Sequence, residues 1–307
     1  MLIKPKRLQP GDTVGVVAPA SPPNKENLEK GIAYLESQGL KVKLGKHLYK
    51  ETGYLAGNDE DRASDLNNMF ADQDVQGIIC ACGGYGTGRM AHRVDYGLIR
   101  ANPKVFWGYS DITFLHTAMR QKAGLVTFHG PMPASDMGAE DWNPLSGAFF
   151  HQLFHTKPIV YDEAISPLET LIPGKAEGEL VGGNLCLLVT TLGTEFEIET
   201  DGKILFIEDV NEEPRNIDRM LNQLWSAGKL DHIKGLAIGD FRNCTPGDRL
   251  KSFSLEEVIG EYAELIRVPT MKGLKIGHCS PHIGIPLGTN AILDTEHKRF
   301  AIESGLV

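Results

Sequence analysis

The chain has 307 residues, of which 41% are hydrophobic and 23% charged, and its formal net charge at pH 7 is −9. This length predicts two domains, and the excess of acidic residues argues against a general binder of nucleic acid or of anionic membranes. We find no apolar run of membrane-spanning length and no apolar core of a signal peptide at the start. Five scattered cysteines are an odd number, which indicates reduced thiols in a cytoplasmic protein.

The first half of the chain alternates short apolar strands with helices. Helices are predicted at 26–38 and 59–70, and strands at 13–18, 41–44, 76–81, 104–109 and 125–128. Short apolar strands separated by helices are typical of a parallel sheet that is covered on both faces. Residues 133–145, rich in small, polar and acidic types, are expected to form a loop.

The second half changes character after a segment rich in proline and glycine, 157–178, which is expected to connect the halves. Helices are predicted at 184–192, 217–225 and 255–266, strands at 203–207 and 235–238, and a hairpin at 291–303. We therefore expect an α/β fold in which 1–160 is a parallel-sheet domain, 161–174 a linker and 175–307 a smaller mixed α/β domain.

A serine stands where the fourth predicted strand meets a helix, in Gly108-Tyr-Ser-Asp111. A turn of this kind exposes the hydroxyl of Ser110, and the backbone N–H of Asp111 and the positive helix end can stabilise an oxyanion. Serine is also a favoured helix N-cap, and the second glycine of a G-x-S-x-G motif is absent here. The local pattern leaves the nucleophile and the helix cap equally open.

A serine nucleophile needs a base, and ten histidines are available. His278 lies in a loop bounded by glycine and proline that can hold an imidazole outward; we favour it over His282, although spacing does not rank them firmly. His129 ends the fifth strand, where it would line the site or satisfy a loop hydrogen bond. His151 and His155 are four apart on a predicted helix without a third ligand, so a solvated face is the better interpretation.

The densest acidic cluster begins with Glu208 at the carboxyl end of a strand, where the site residues of α/β folds collect. Glu208 and Asp209 are adjacent, so they point to opposite faces of that strand and one of them faces inward. Glu212 and Glu213 are explained by the start of the next helix, where acidic groups suit the positive end. This explanation does not extend to Glu208, which is the candidate acid.

The loop Gly83-Gly-Tyr-Gly-Thr-Gly88 follows the third strand. It lacks the G-x-G-x-x-G spacing and an acid about twenty residues further on, so a nucleotide cofactor is disfavoured. Its backbone N–H groups can instead supply half of an oxyanion hole, with a plain turn as the alternative. Cys80 and Cys82 lack the second cysteine pair of a zinc site, so we expect no metal. With a nucleotide disfavoured as well, we expect no cofactor.

Several motifs occur nearly end to end along the chain, and together they resemble one family. They are Leu8-Gln-Pro-Gly-Asp12, Gly83-Gly-Tyr-Gly86, Trp107-Gly-Tyr-Ser-Asp111, Phe128-His-Gly-Pro-Met132, Leu205-Phe-Ile-Glu-Asp209 and Gly277-His278. Their order resembles the LD-carboxypeptidase (muramoyl-tetrapeptide carboxypeptidase) family of serine peptidases, which also contains the microcin C self-immunity peptidases.

The resemblance implies a Ser-His-Glu triad made by Ser110, His278 and Glu208. It further implies a flavodoxin-like N-terminal domain, a smaller C-terminal domain, a site between the two and often a homodimer. The oxyanion would be held by the backbone N–H groups of Asp111 and of a glycine in the 83–86 loop, Gly84.

The implied activity is removal of the terminal D-alanine from murein tetrapeptides in cytoplasmic peptidoglycan recycling, with Gly83, Tyr85 and His129 against the substrate. A microcin-type peptidase that cuts a peptidyl-nucleotide amide is the alternative, although the glycine loop resembles the cell-wall enzymes more. A non-enzymatic or nucleotide-binding module of doubly wound fold is the alternative from a different class. No nucleic-acid or membrane partner is expected.

One position departs from the family, which commonly has arginine where this chain has Cys82. If that arginine fixes the loop or a substrate carboxylate, this chain must do so differently. The substrate carries carboxylates, so a basic side chain in the cleft is expected. Arg89, Arg215 and Arg219 are candidates, with a surface or structural charge as the alternative for each.

Overall fold

The computed structural model describes residues 2–247 and 251–307. The chain divides into two compact units. The first comprises Met1–Lys157, Ser280–Gly288 and Ser304–Val307, and the second comprises Pro158–Cys279 and Thr289–Glu303. The sequence instead placed 175–307 in one domain, so two short C-terminal segments return to the first unit.

The strands and helices of the described residues follow one another along the chain with short connections. The strands are β1 (Thr13–Val17), β2 (Lys41–Leu44), β3 (Val75–Cys80), β4 (Val105–Gly108), β5 (Thr127–His129), β6 (Ile159–Tyr161), β7 (Glu169–Ile172), β8 (Lys175–Asn184), β9 (Ile204–Val210), β10 (Gly235–Arg242), β11 (Thr270–Lys272), β12 (Ile285–Leu287), β13 (Asn290–Asp294) and β14 (Arg299–Ile302). The α-helices are α1 (Lys25–Ser37), α2 (Asp59–Ala71), α3 (Thr87–Met90), α4 (Tyr96–Ala101), α5 (Thr113–Ala118), α6 (Pro144–Phe150), α7 (Leu185–Thr190), α8 (Pro214–Ser226) and α9 (Leu255–Ile266).

The sheet of the first unit has the strand order β2-β1-β3-β4-β5-β12. Its first five strands are parallel, and β12 pairs antiparallel with β5 at the edge. This is the flavodoxin-like order, in which the direction of strand addition reverses between β1 and β3. The predicted fold class is confirmed, and the loops after β1 and β3 lie where such sheets bind ligands.

Both faces of this sheet are covered. Successive residues of β4 point to opposite sides, so Trp107 joins the cluster around Leu28 of α1 while Phe106 joins the cluster around Phe70 of α2. All strand residues of β4 are buried, which explains why the strand is a continuous apolar run.

The sheet of the second unit has the order β6-β14-β13-β8-β9-β10-β11-β7. The four central strands β8 to β11 are parallel, and the outer strands pair antiparallel. The predicted mixed α/β character is confirmed, and so is the C-terminal hairpin, which is formed by β13 and β14.

The expected connector differs from what the structure contains. Strands β6 and β7 and the first residues of β8 lie within 157–178, and β7 falls inside the expected linker 161–174. These strands pair with β14 and β11, which come much later in the chain. The prolines and glycines mark the turns between the strands, not a single loop.

Two further local predictions are wrong. The region expected as a loop over 133–145 contains a π-helical turn, Pro133–Met137, and the start of α6. His151 begins a 3-10 turn and His155 has an extended backbone with φ −146, so these two histidines do not share a helix face. In the described part of the chain no helix is long and apolar enough to cross a membrane.

Candidate active site

The loops that follow β1 and β3 are joined at the carboxyl edge of the first sheet. The backbone N–H of Ser21 donates to the carbonyl of Gly83 at 3.2 Å, and the Ser21 hydroxyl accepts the N–H of Tyr85 at 3.2 Å. A Cβ on Gly84, where φ is +111, would lie 2.2 Å from Oγ of Ser21. The glycine loop is therefore packed closely on Ser21.

Ser110 occupies the corner between β4 and the helical segment that follows. Its φ is +63, and it begins a 3-10 turn, Ser110–Ile112, that leads into α5. A serine in the left-handed region costs roughly 1 kcal/mol or more, and such strain collects at functional sites. No side chain caps this turn or α5. A left-handed residue between a strand and a helical segment is also the backbone shape of a nucleophile elbow.

Gly83 lies directly against the serine. A Cβ built on Gly83 would come 2.8 Å from Cβ of Ser110, 3.0 Å from its Oγ and 3.5 Å from the backbone N of Asp111. Any larger residue would displace the serine. The structure thus brings together Gly83, Ser110 and the backbone N of Asp111.

The residue after the serine is held by α3. The carboxylate of Asp111 accepts the Thr87 N–H at 2.9 Å, and the Asp111 carbonyl accepts the Thr87 hydroxyl at 2.6 Å. Burial raises the pKa of Asp111, and the hydrogen bonds from Thr87 oppose this shift. Because both the carboxylate and the backbone carbonyl of Asp111 are bonded to Thr87, the direction of the Asp111 backbone N–H is fixed.

A buried arginine that the sequence analysis missed supports the same loops. Arg62 of α2 is 2% exposed, and its Nη1 donates to the carbonyls of Pro19 at 2.6 Å and Gly86 at 2.8 Å. Asp59, one turn earlier, pairs with its other terminal nitrogen. Arg62 therefore ties the loop after β1 to the loop after β3.

Cys82 takes part in the same support. Its thiol donates to the carbonyl of Ser21 at 3.2 Å, and burial raises its pKa to about 12, so the thiol stays neutral. Together, the bond from Arg62 to the Gly86 carbonyl and the bond from Cys82 to the Ser21 carbonyl hold the glycine loop. This chain therefore supports the loop without an arginine at position 82.

In the second unit, Glu208 and His278 form a hydrogen-bonded pair. Nδ1 of His278 lies 2.7 Å from Oε2 of Glu208; the glutamate side chain is 0% exposed and the histidine side chain 16%. Glu208 lies near the end of β9, opposite Asn184 of β8. In the tautomer in which Nδ1 donates to this carboxylate, Nε2 is the ring nitrogen that keeps a lone pair.

A glycine precedes the histidine for a steric reason. Gly277 has φ +117, and a Cβ there would lie 2.5 Å from Oε2 of Glu208. The close approach of this backbone allows the short bond between Glu208 and His278.

Asp209 points to the other face of β9 and is buried as well, at 3% exposed. We expected one of the two acids to face inward, but both are buried because β9 is covered on both faces. The carboxylate of Asp209 accepts the N–H of Cys186 at 2.9 Å, and Asn184 donates to it at 3.1 Å. Burial raises the pKa of Asp209 to about 6, with a smaller contribution from the charge of Glu208.

The remaining predicted residues fall into different environments. Tyr85 is 52% exposed, whereas His129 is fully buried, with its ring 5.7 Å from Tyr109 and 5.5 Å from His282. His282 is also buried, in the first unit. His278 makes its hydrogen bond with the carboxylate of Glu208.

Two of the suggested arginines are engaged in ion pairs within their own units. Nε of Arg89 lies 3.1 Å from Asp59, and Nε of Arg215 lies 2.9 Å from Glu213. Among the residues that the structure describes, no three histidines, cysteines or acids are grouped to hold a metal ion.

Comparison with known proteins assigns the chain. The model of the LD-carboxypeptidase N-terminal domain matches residues 14–130, and that of the LD-carboxypeptidase C-terminal domain matches residues 177–293. Together they cover most of the chain. The protein is a serine-type peptidase with two α/β units. It belongs to the LD-carboxypeptidase family and is a carboxypeptidase.

Named relatives agree with this assignment. The chain is similar to the probable murein peptide carboxypeptidase of Bacillus subtilis, with 56% identity over 99% of this chain and 95% of that protein. The murein tetrapeptide carboxypeptidase of Pseudomonas aeruginosa is 32% identical over 94% of each chain. The solved structure of the microcin C7 self-immunity protein MccF in the wild-type apo state superposes with TM-score 0.90 and 26% identity, covering 99% of this chain and 100% of that one.

Proposed function

We propose that the chain removes the terminal D-alanine of murein tetrapeptides by hydrolysing the bond between the L-centre of a diamino acid and that D-alanine. The left-handed backbone of Ser110, set against Gly83 and the N–H of Asp111, carries the proposal of a serine nucleophile. The murein substrate is supported by the relatives from Bacillus subtilis and Pseudomonas aeruginosa.

In the proposed mechanism the hydroxyl oxygen of Ser110 attacks the scissile carbonyl while Nε2 of His278 accepts its proton. Collapse of the tetrahedral intermediate breaks the C–N bond, and His278 returns the proton to the leaving amine of D-alanine. Water then attacks the acyl-enzyme with His278 again as base. Glu208 holds the imidazole and stabilises the imidazolium through the 2.7 Å bond.

The oxyanion of that intermediate would be stabilised by the N–H groups of Asp111 and Gly84. Removing one such donor costs about 3 kcal/mol of transition-state stabilisation in other hydrolases. The positive φ of Gly84 and the bonds of Asp111 to Thr87 keep these groups oriented before substrate binds. We also propose that Gly83, Tyr85 and His129 contribute to the substrate site, Tyr85 through its exposed ring and His129 from a fully buried position.

We further propose that the enzyme is a cytoplasmic homodimer that acts in peptidoglycan recycling on a small peptide, with no nucleic-acid or membrane partner. The net charge of −9 supports the last point. The oligomeric state is checked by sedimentation of the purified protein, where a monomer at micromolar concentration would reject the homodimer.

A microcin-type peptidase is the second candidate, favoured by the TM-score of 0.90 to MccF. One preparation incubated in parallel with a murein tetrapeptide and with a peptidyl-nucleotide amide, followed by mass analysis, separates the two. The murein proposal predicts a mass loss of one alanine from the tetrapeptide. Intact tetrapeptide in the presence of folded protein would reject it, and cleavage of the amide alone would favour the second candidate.

A further inference from the structure

Two large aromatic side chains stand exposed together on the first unit. Tyr54 is 64% exposed and Tyr85 is 52% exposed, and their ring centroids are 5.7 Å apart with an interplanar angle of 63°. An edge-to-face pair leaves a ring face open on each partner. Adjacent exposed aromatic rings are a feature of binding surfaces, because the apolar area they leave in water gains free energy when covered.

The backbone beneath Tyr85 is held in place. Its N–H donates to Oγ of Ser21 at 3.2 Å, and the carbonyl of the next residue, Gly86, accepts from buried Arg62 at 2.8 Å. The ring of Tyr85 is therefore presented on a fixed loop, which lowers the entropy that binding must remove.

The segment that carries Tyr54 is held in a similar way. Thr52 and Leu55 exchange backbone hydrogen bonds of 2.9 and 3.1 Å around it, and the N–H of Ala56 donates to the carbonyl of Ala20 at 3.0 Å. The loops that carry Tyr54 and Tyr85 are thus both hydrogen-bonded to the loop that follows β1.

Arg89, four residues after Tyr85, is paired with a carboxylate. Arg89 makes a two-pronged contact with Asp59, with Nε to Oδ1 at 3.1 Å and Nη2 to Oδ2 at 3.2 Å. The hydrogen bond to Asp59 is also the main cause that raises the pKa of Arg89. Because the guanidinium of Arg89 is occupied by a carboxylate, it is not available to pair with a phosphate, and the exposed rings favour a ligand with an apolar face.

Distance along the chain relates this surface to the proposed nucleophile. Gly83 packs on Ser110, and Tyr85 follows two residues later, so its Cα lies within about 7 Å of that of Gly83. A tyrosine ring extends several ångströms further. Three extended peptide residues span roughly 10 Å. A ligand group three residues upstream of the scissile bond is therefore about as far from that bond as the Tyr85 ring is from Gly83.

We propose that Tyr54 and Tyr85 form a saccharide subsite that stacks on the amino-sugar ring attached to the murein peptide. This deepens the proposed function and rests on it. Only one residue, the terminal D-alanine, lies on the carboxyl side of the scissile bond. A subsite several residues away must therefore bind the amino-terminal end of the peptide, which carries the sugar. The C–H bonds on one face of a pyranose are positively polarised and match the negative face of an aromatic ring.

The experiment compares kcat/KM on muramoyl-tetrapeptide with kcat/KM on the same tetrapeptide without sugar, in wild type, Tyr54→Ala and Tyr54→Phe. The wild type is expected to prefer the sugar-bearing substrate about tenfold, which corresponds to ~1.4 kcal/mol. Tyr54→Ala should abolish most of this preference, mainly through KM, and Tyr54→Phe should retain it. Tyr49→Ala removes another exposed tyrosine of the same unit and is expected to keep the wild-type ratio.

Two results would overturn the subsite. One is equal wild-type kcat/KM on the two substrates, and the other is a sugar preference that survives both Tyr54→Ala and Tyr85→Ala. If the tetrapeptide is cleaved in such a case, the proposed function stands without the subsite. If neither murein substrate is cleaved, both proposals fall.

Discussion

Nδ1 of His278 lies 2.7 Å from Oε2 of Glu208, a carboxylate that is completely buried. The bond fixes both the ring orientation and the tautomer of the histidine, because only its protonated Nδ1 can donate to the carboxylate. The carboxylate is confined in turn by the backbone of Gly277 and by Gly239, where an added Cβ would lie 3.1 Å from Cβ of Glu208.

Replacing the acid of this pair tests its role. Glu208→Gln keeps the side-chain shape, but its amide group can stabilise the wrong tautomer of His278. We expect kcat to fall by about 10³ to 10⁴ with KM little changed, as measured by steady-state release of D-alanine. The matched control Glu213→Gln breaks an ion pair with Arg215 and should leave kcat at the wild-type value. Similar kcat values for both variants would remove Glu208 from the mechanism.

The contact between Gly83 and Ser110 gives a second prediction. In Gly83→Ala the new methyl group meets Cβ of Ser110 at 2.8 Å, so the serine must move. We expect kcat/KM to fall at least about 100-fold, in line with a misplacement of about 1 Å at a reacting centre. The control Gly260→Ala lies in α9 with nothing within 4 Å, and should stabilise the fold by up to ~1 kcal/mol. An active Gly83→Ala enzyme would contradict the assigned geometry.

Arg62 should be important for stability as well as for the site. Arg62→Met leaves the carbonyls of Pro19 and Gly86 without their donor and removes a partner of Asp59. We expect a loss of about 3 kcal/mol or more in the free energy of unfolding, measured with urea. Arg93→Gln, which breaks an exposed pair with Glu60, should cost less than about 1 kcal/mol. Equal losses in the two variants would rule out the supporting role.

Asp209 predicts a specific pH dependence of stability. Its pKa in the folded state is raised to about 6 by burial, compared with about 3.9 in an unfolded chain. Between these values the folded state binds the extra proton, so the contribution of Asp209 to stability is largest below about pH 4 and falls as pH rises to about 6. Two pKa units correspond to ~3 kcal/mol.

The variant Asp209→Asn lacks this titration. The unfolding free energy of the wild type minus that of the variant should therefore decrease by up to ~3 kcal/mol from pH 4 to pH 7. Denaturant unfolding at several pH values measures this difference. A difference that stays constant with pH would show that Asp209 does not titrate in this range.

Much of the fold was predictable because its central strands are buried. The strands β1, β3 and β4 are nearly continuous apolar runs between helices, a pattern that predicts a parallel sheet. By contrast, β6 and β7 are short and partly exposed, and β7 contains no fully buried residue. Their pairing depends on strands far along the chain, which local patterns do not reveal.

The site shows a similar division. The residues Ser110, Glu208 and His278 were selected from their positions at strand ends and loops, together with the family resemblance. The left-handed backbone of Ser110 and the burial of Arg62 were not predictable. An arginine among Asp59, Glu60 and Asp61 has the pattern of an exposed helix face, and its acceptors are backbone carbonyls, which leave no trace in the sequence.

The central claim is that Ser110 is the nucleophile, and the most direct measurement is kcat of Ser110→Ala on a murein tetrapeptide. Removing one hydroxyl from a half-buried position should leave the melting temperature within a few degrees of the wild type. We predict a loss of at least about 10⁴ in kcat, since the remaining groups cannot form the acyl-enzyme. A folded Ser110→Ala protein that releases D-alanine at the wild-type rate would contradict the account.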